Sequence, residues 1–447
     1  MSNSAFYAGM TLSADTFSQR RSRLLALMTP DSVALLPGAT EKCRSRDTHY
    51  PFRQHSDFFY FTGFNEAEAL LLLIKETDGA EHSLLLCQEK DPLAEVWHGR
   101  RAGPEQAAAE LGLAAAPVSS LLLQLEQALQ GKHTLYLNLG EFTELEQQLH
   151  LLCAKLRQAE KRGQSAPGNW QDLRPFTASL RLIKSAEEIA IMQQAADISV
   201  AAHHRAMRFS RPGRYEYQLE AEILHEFAMQ GARHAAYNSI VGSGDNGCIL
   251  HYTANSSELV AGQLVLIDAG CEYQGYAADI SRTFAVNGRF SAEQAALYQL
   301  VLDTQLACIA AVKPGCSFAL LNQLAEQKLT EGLVALGILQ GELDELISSK
   351  ACKQYFIHGI GHWLGLDVHD VGAYKVAGED IAFAQGMVLT IEPGLYIPAG
   401  SPCAEQWWDL AVRIEDNILV TDTAQRNLTA GAVKTLQDIT ELMKDNG

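Results

Sequence analysis

The chain has 447 residues, with 53 acidic side chains against 35 basic ones and a formal net charge of -18. That balance argues against a nucleic-acid surface and against docking on anionic membranes, and the length predicts two or three domains rather than one. No apolar run approaches the ~20 residues of a membrane-spanning helix, and residues 1–10 (M-S-N-S-A-F-Y-A-G-M) lack the basic-then-apolar order of a secretory signal.

In chain order, Phe17 to Met28 reads as an amphipathic helix with Thr16 as its N-cap. Ser32 to Leu36 is a short strand ending at Pro37. The aromatic run Asp57 to Phe64 (D-F-F-Y-F-T-G-F) is read as a core strand, with a lip over a cleft as the other reading. Ala69 to Ile74 and Ser83 to Cys87 form a hairpin across T-D-G-A. Helices follow at Glu105 to Leu111 and Leu121 to Leu129, then a strand at Leu135 to Leu139. Strands alternating with helices predict a self-contained α/β unit. The polar stretch K-R-G-Q-S-A-P-G-N-W places a boundary near Arg162 to Arg174, so the expected domains are 1–174 and 175–447.

The second domain opens on a capping box, Ser185 with Glu188, and a helix from Ala186 to about Phe209. A Pro-Gly turn (Arg211 to Gly213) leads to a helix from about Tyr217 to Gln230. The same plan recurs as helix, Lys313 to Gly315, then helix from about Phe318 to Leu336, with Leu219 and Leu321 in matching places. Each repeat leads to a strand region holding a histidine, His251 in I-L-H-Y and His358 in F-I-H-G. The reading is an internal duplication of two helix–helix–strand halves.

Leu264 to Phe284 (L-V-L-I-D-A-G-C-E-Y-Q-G-Y-A-A-D-I-S-R-T-F) reads as a hairpin with Asp268 on one strand and Asp279 on the other. Buried, unpaired carboxylates are costly unless they are neutralised, and a metal ion removes that cost. Downstream, F-I-H-G-I-G-H-W-L-G-L-D-V-H-D holds His358, His362 and His369, V-L-T-I-E-P-G-L-Y holds Glu392, and A-V-R-I-E-D-N holds Glu415. Glu392 and Glu415 end strand-like runs as Asp268 does. Asp268, Asp279, His362, Glu392 and Glu415 make the donor set of a two-metal site. Four carboxylates and one imidazole favour hard divalent ions over a structural zinc. Two ions are expected, with Mn²⁺ the first choice and Co²⁺ or Zn²⁺ the alternatives. His358-x-x-x-His362 is not a zinc-peptidase H-E-x-x-H helix: the glutamate is missing, and Gly359, Gly361 and Gly365 disfavour a helix. The nine cysteines are scattered, with no C-x-x-C pair, which suits free thiols and a cytoplasmic location. Cys271 is read as a packing residue rather than a ligand.

The order D-A-G, A-D-I-S-R-T-F, H-G-I-G-H, T-I-E-P-G and V-R-I-E-D resembles the pita-bread metallopeptidases, and within them the Xaa-Pro aminopeptidases, over nearly the whole chain. The resemblance implies an α/β (α+β) architecture. In it a creatinase-like N-terminal α/β domain precedes a C-terminal pita-bread domain whose duplicated halves are related by a pseudo-twofold axis, with the metals between them. It implies that Asp268 binds one ion alone, that Asp279 and Glu415 bridge both ions, and that His362 and Glu392 complete the other. It assigns His251, His358 and His369 to substrate binding and to steadying the tetrahedral intermediate. Glu392 moves the proton from water to the leaving nitrogen, and Arg413 orients carboxylates. Asp47, Trp97 and Tyr396 are carried over as substrate-pocket residues, Trp97 across a subunit boundary in some relatives. The implied partners are peptides with proline in second place and further copies of the chain in a dimer or tetramer, without nucleic acid or membrane. A prolidase acting on Xaa-Pro dipeptides and a catalytically dead pita-bread binding module are the competing readings. Relatives often have glycine where this chain has Ala411, which bears on cleft width, and Trp407 and Trp408 are read as lining the cleft or packing.

Overall fold

The computed structural model describes residues 12–444, so the segment read for a secretory signal lies outside the described residues. The chain divides into two compact units, the first ending at Arg181 and the second beginning at Leu182.

The first unit is built on a six-stranded mixed sheet: β1 (Ser32–Pro37), β2 (Leu70–Lys75), β3 (Glu81–Cys87), β4 (Ala114–Pro117), β5 (Thr134–Leu137) and β6 (Asn169–Asp172), in the order β4-β3-β2-β1-β5-β6. β1, β2 and β3 are antiparallel neighbours, while β4, β5 and β6 add in parallel. The unbroken apolar runs of β1 and β2 fit strands covered on both faces. The stretch expected to hold the domain boundary contributes β6 as an edge strand, followed by a helix at Arg174–Leu182. The first helix, α1 (Ala14–Leu27), starts three residues ahead of the predicted start because Ser13, not Thr16, caps it. The aromatic run is core, as expected, but it is the helix α2 (Ser56–Thr62) rather than a strand. All seven of its residues are buried, so it carries no polar face from which a period could be read.

The second unit opens with α3 (Ala186–Phe209), whose ends and Ser185/Glu188 capping box match the sequence reading. α4 (Glu216–Met229) follows, then a sheet of β7 (Ile240–Ser243), β8 (Leu264–Asp268) and β9 (Ser281–Ala285). The plan repeats: α5 (Ala292–Ala311), α6 (Phe318–Ala335), then β10 (Val388–Ile391), β11 (Gly394–Ile397), β12 (Leu410–Arg413) and β13 (Asp416–Val420). Here β10 pairs β13 and β11 pairs β12. Both Pro-Gly turns end on a glycine in the left-handed region, Gly213 at φ 83° and Gly315 at φ 87°, and Leu219 and Leu321 are both fully buried. Both halves contribute to one hydrophobic core, including Leu219, Val265, Leu321 and Leu389.

The stretch Leu264 to Phe284 is not the single hairpin expected. β8 and β9 are direct antiparallel neighbours, with Asp268 opposite Ser281. Between them Cys271–Tyr273 and Tyr276–Ala277 form a separate small hairpin that pairs with His234–Ala235. The chain pinches where it leaves the main sheet: a Cβ at Gly270 would stand 1.8 Å from the Ala278 carbonyl oxygen. Asp279 emerges from that pinch two residues before β9. Neither His251 nor His358 lies in a strand, as the duplication had suggested; each sits in a turn or irregular loop.

Candidate active site

Strand ends deliver the acids. Asp268 closes β8, Asp279 precedes β9, Glu392 follows β10 and Glu415 lies between β12 and β13. These strands are cross-linked by their own ladders, so the carboxylates are held by backbone rather than by flexible loops. His362 comes from the irregular loop after Phe356. Its backbone is tied to β10 by two bonds: His362 N–H donates to Thr390 Oγ1 at 3.0 Å, and Thr390 N–H donates to the His362 carbonyl at 2.9 Å.

One cavity of about 320 Å³ is lined by Asp268, Asp279, His362, Glu392 and Glu415 together with His251, His358, His369 and Arg413. Ligand atoms of Asp279, His362 and Glu415 lie within 4.8 Å of one another. His362 Nε2 is 3.3 Å from Asp279 Oδ2 and 3.6 Å from Glu392 Oε1. His362 Nδ1 faces the Trp363 carbonyl at 2.9 Å, which leaves Nε2 as the nitrogen turned to the acids.

The electrostatics show what such a cluster needs. Burial and the charge of Asp268 push the Asp279 carboxyl up from its ordinary range. Burial, with Asp279, Glu392 and Asp268 close by, pushes Glu415 well above it. Glu392 is raised to about 7 by burial and the charge of Asp279, against the opposing pull of His362. Burial works against a charged His362 ring, but Asp279 and Glu392 overcome it and raise the ring to about 9. These groups hold protons because their negative charges repel one another out of water. A pair of divalent cations relieves the same repulsion, and the oxygen-rich donors with one imidazole suit hard ions. The donor set therefore fits divalent cations, with Asp279, His362 and Glu415 the ligand atoms that already lie within reach of one another.

Arg413 is buried, and its charged form is favoured: burial opposes it, but Tyr396, Asp268 and Glu415 outweigh burial. It donates to Asp268 Oδ2 at 2.7 Å, to Ser281 Oγ at 2.7 Å and to the Tyr396 hydroxyl at 2.9 Å, while Ser281 donates to Glu415 at 2.9 Å. The Tyr396 hydroxyl in turn lies 2.8 Å from His358 Nε2, and His358 Nδ1 lies 2.8 Å from the Gly359 carbonyl. Burial and Arg413 lower His358 to about 4, so it is a neutral ring with both nitrogens engaged. His369 packs its ring 4.1 Å from that of His362, and burial with His362 and His251 lowers it too. Neither His369 nor His251 makes a hydrogen bond to protein among the described residues.

Sequence reading missed Tyr237. Its hydroxyl lies 2.5 Å from both Asp268 Oδ1 and Asp279 Oδ1, and burial with those acids holds its proton on. No motif marks it; it is one aromatic residue in H-A-A-Y-N-S, ahead of β7. Asp47 and Trp97 belong to the first unit, where both are exposed, Trp97 to 77% on a helix at Pro92–His98. Trp407 is a core residue, and Trp408 packs beside it with its indole N–H on the Ser401 carbonyl. Ala411 is buried with Ile240, Leu266 and Tyr396, and a Cβ at Gly247 would meet its methyl at 3.1 Å. Cys271 is fully buried, and its thiol donates to the Ala195 carbonyl.

Comparison with known proteins adds the following. Residues 190–422 match the model of metallopeptidase family M24, and residues 17–136 match the aminopeptidase P N-terminal domain. The chain is 47% identical to an Xaa-Pro aminopeptidase of Escherichia coli over 97% of its length and 98% of the relative's. It is 44% identical to an Xaa-Pro aminopeptidase of Haemophilus influenzae, with coverage of 97% and 98%. Among solved structures, zinc-substituted Escherichia coli aminopeptidase P in complex with product matches with a TM-score of 0.95 at 46% identity, covering 98% of this chain and 99% of that one.

Proposed function

This chain belongs to metallopeptidase family M24, and on that footing we propose that it removes the N-terminal residue from peptides with proline in second position. It is a hydrolase and an Xaa-Pro aminopeptidase in activity. The observation that carries the reading is the convergence of four acids and His362 on one cavity, where their mutual repulsion calls for cations. We assign two divalent ions to Asp268, Asp279, His362, Glu392 and Glu415, with Mn²⁺ favoured by the oxygen-rich donors and Co²⁺ or Zn²⁺ as alternatives. When bound, the ions supply Lewis acidity that acidifies water and polarises the scissile carbonyl.

The protein's own groups do the rest. Glu392, a carboxylate at the cavity beside His362, accepts a proton from the attacking water and passes it to the leaving proline nitrogen. Arg413 fixes the Asp268 carboxylate, and Tyr237 fixes the edges of Asp268 and Asp279 that face it. Two imidazoles were candidates for steadying the oxyanion. His358 has both nitrogens committed, to Gly359 and Tyr396, so the task falls to His369. His251 receives substrate from the opposite half of the unit. The free α-amine of the substrate belongs near Asp268, which restricts cleavage to the first residue. Asp47, Trp97 and Tyr396 are assigned to the substrate pocket, and the chain to a dimer or tetramer, on the family resemblance. All nine cysteines are free thiols, which suits a reducing compartment, and we assign the chain to the cytoplasm on that ground.

The test is a peptide panel on chelator-treated protein reloaded separately with Mn²⁺, Co²⁺ or Zn²⁺. Hydrolysis of Xaa-Pro-Xaa peptides above Xaa-Pro dipeptides is the expected result. Preference for dipeptides would make the enzyme a prolidase, and metal uptake without turnover on any peptide would make it a binding module.

A further inference from the structure

Glu216 is the first residue of α4, fully buried, and has no part in the metal cluster. Its two carboxylate oxygens accept five hydrogen bonds. Oε1 takes the Ser243 N–H at 2.7 Å, the Ser243 hydroxyl at 2.8 Å and the Asn246 amide at 3.1 Å. Oε2 takes the Tyr252 hydroxyl at 2.9 Å and the Ser257 N–H at 2.9 Å, while the Glu216 N–H donates back to the Ser257 carbonyl at 3.0 Å. A buried carboxylate without a cationic partner is tolerable when donors and a helix N-terminus surround it in this way.

All five donors belong to one segment, Ser243 to Ser257. Apart from Ser243 and a 3₁₀ turn at Gly244–Cys248, this segment has no regular structure. It forms the wall of the cavity that carries Leu250 and His251. His251 itself is exposed, and its neighbour Tyr252 is the residue anchored on Glu216. The other side of Tyr252 packs on the apolar patch of Ile240, Leu266, Tyr396 and Ala411. Glu216 therefore ties both ends and the middle of this wall to α4, and Glu220 on the same helix adds one bond, from the Asn255 amide at 3.0 Å.

We propose that Glu216 is a positioning residue for the reaction: by gathering the Ser243–Ser257 segment onto α4 it fixes where His251 stands over the cavity. The proposal rests on the peptidase reading for its kinetic consequence, but not for its structural one. A single carboxylate serves a loop that a strand ladder would otherwise have to hold. The isosteric Glu216→Gln keeps the volume but sets an N–H against one of the two backbone N–H donors.

The experiment compares Glu216→Gln, His251→Ala and the double variant with the Mn²⁺-loaded wild type. In Glu216→Gln, kcat/KM on an Xaa-Pro-Xaa peptide is expected to fall about tenfold to a hundredfold, from misplacement alone. The double variant should be no worse than His251→Ala, since both changes remove the same placement. Mn²⁺ affinity should stay at the wild-type value. Losses that simply add, or a parallel loss of Mn²⁺, would overturn the proposal. Amide exchange supplies the second readout, independent of activity. Ser243 and Ser257 should exchange faster in Glu216→Gln, with the His251 ring signals shifted and the amides of β8 unchanged. Unmoved His251 signals would overturn the assignment even if the wild type cleaved no peptide, which separates this failure from failure of the peptidase reading. Should Glu216→Gln not fold, Tyr252→Phe removes one of the five bonds and should give the same pattern at smaller amplitude. An unaffected His251 and unaltered kinetics there would count against it.

Discussion

The floor and the wall of the cavity are built by different means. The floor carries Asp268, Asp279, Glu392 and Glu415 at or beside the ends of paired strands, where the ladders of β8 with β9 and β10 with β13 set their places. The wall carries His251, His358 and His369 on chain without regular structure: Arg413 and Tyr396 hold His358, Glu216 anchors Tyr252 beside His251, and His369 rests on ring packing against His362. Ions bound at close range demand ligands fixed by backbone; a substrate that must enter and leave is served by groups held through a few replaceable hydrogen bonds. The comparison teaches that floor and wall should fail differently, one through metal and the other through substrate.

The sharpest way to break that division is Glu415→Ala. Removing a floor acid should lower kcat by on the order of 10³-fold or more while leaving far-UV circular dichroism and the fold unchanged. Wild-type-like turnover would end the mechanism. His369→Ala tests the wall: kcat/KM should fall about a hundredfold with metal stoichiometry intact, as metal analysis alongside the kinetics would show. Tyr237→Phe sharpens the boundary, because this hydroxyl serves floor acids only. It should weaken Mn²⁺ binding about tenfold to a hundredfold by calorimetry, and peptide KM by less.

A smaller effect concerns pH. Glu392, raised from 4.5 to about 7, and His362, raised from 6.5 to about 9, both hold protons more tightly folded than unfolded. In the ion-free protein these two groups therefore contribute stability that is lost as pH rises, across 4.5 to 7 for Glu392 and across 6.5 to 9 for His362. Thermal melts of chelator-treated protein between pH 7 and pH 9 should show the His362 decline, above the range in which the buried His203, His204 and His358, lowered to about 4, act with the opposite sign, and Mn²⁺-loaded protein should largely lose it. The smallest effect is at the patch behind the wall. Ala411→Gly removes a methyl from beside Gly247 and loosens β12, at a cost of about 1 kcal/mol by denaturant titration, with little change in KM.

The same division decided what was legible in the sequence. Asp268, Glu392 and Glu415 stand out because each ends a strand-like apolar run, where burial makes an acid conspicuous; Asp279, after two alanines and ahead of β9, stands out only through the motif A-D-I-S-R-T-F. Helices with strong punctuation were equally plain: Ser185 with Glu188 opens α3, and Pro-Gly turns close both α3 and α5. The helix at Thr143–Gln158 carries a helical period in Leu149, Leu152, Cys153 and Leu156 and is equally legible. The aromatic helix α2 was misread because burial on every side erases periodicity. Tyr237 and Glu216 left no local mark at all. Their partners lie 31 and 42 residues away for Tyr237, and 27 to 41 residues away for Glu216, so only the folded chain reveals them. Hydrogen-bond hubs of this kind are non-local by construction, and composition around them is ordinary.

The most direct test is anomalous diffraction from crystals grown with Mn²⁺, recorded at the manganese edge. Two adjacent peaks enclosed by Asp268, Asp279, His362, Glu392 and Glu415 are the predicted result. A cavity without anomalous signal, or peaks bound elsewhere on the chain, would contradict it.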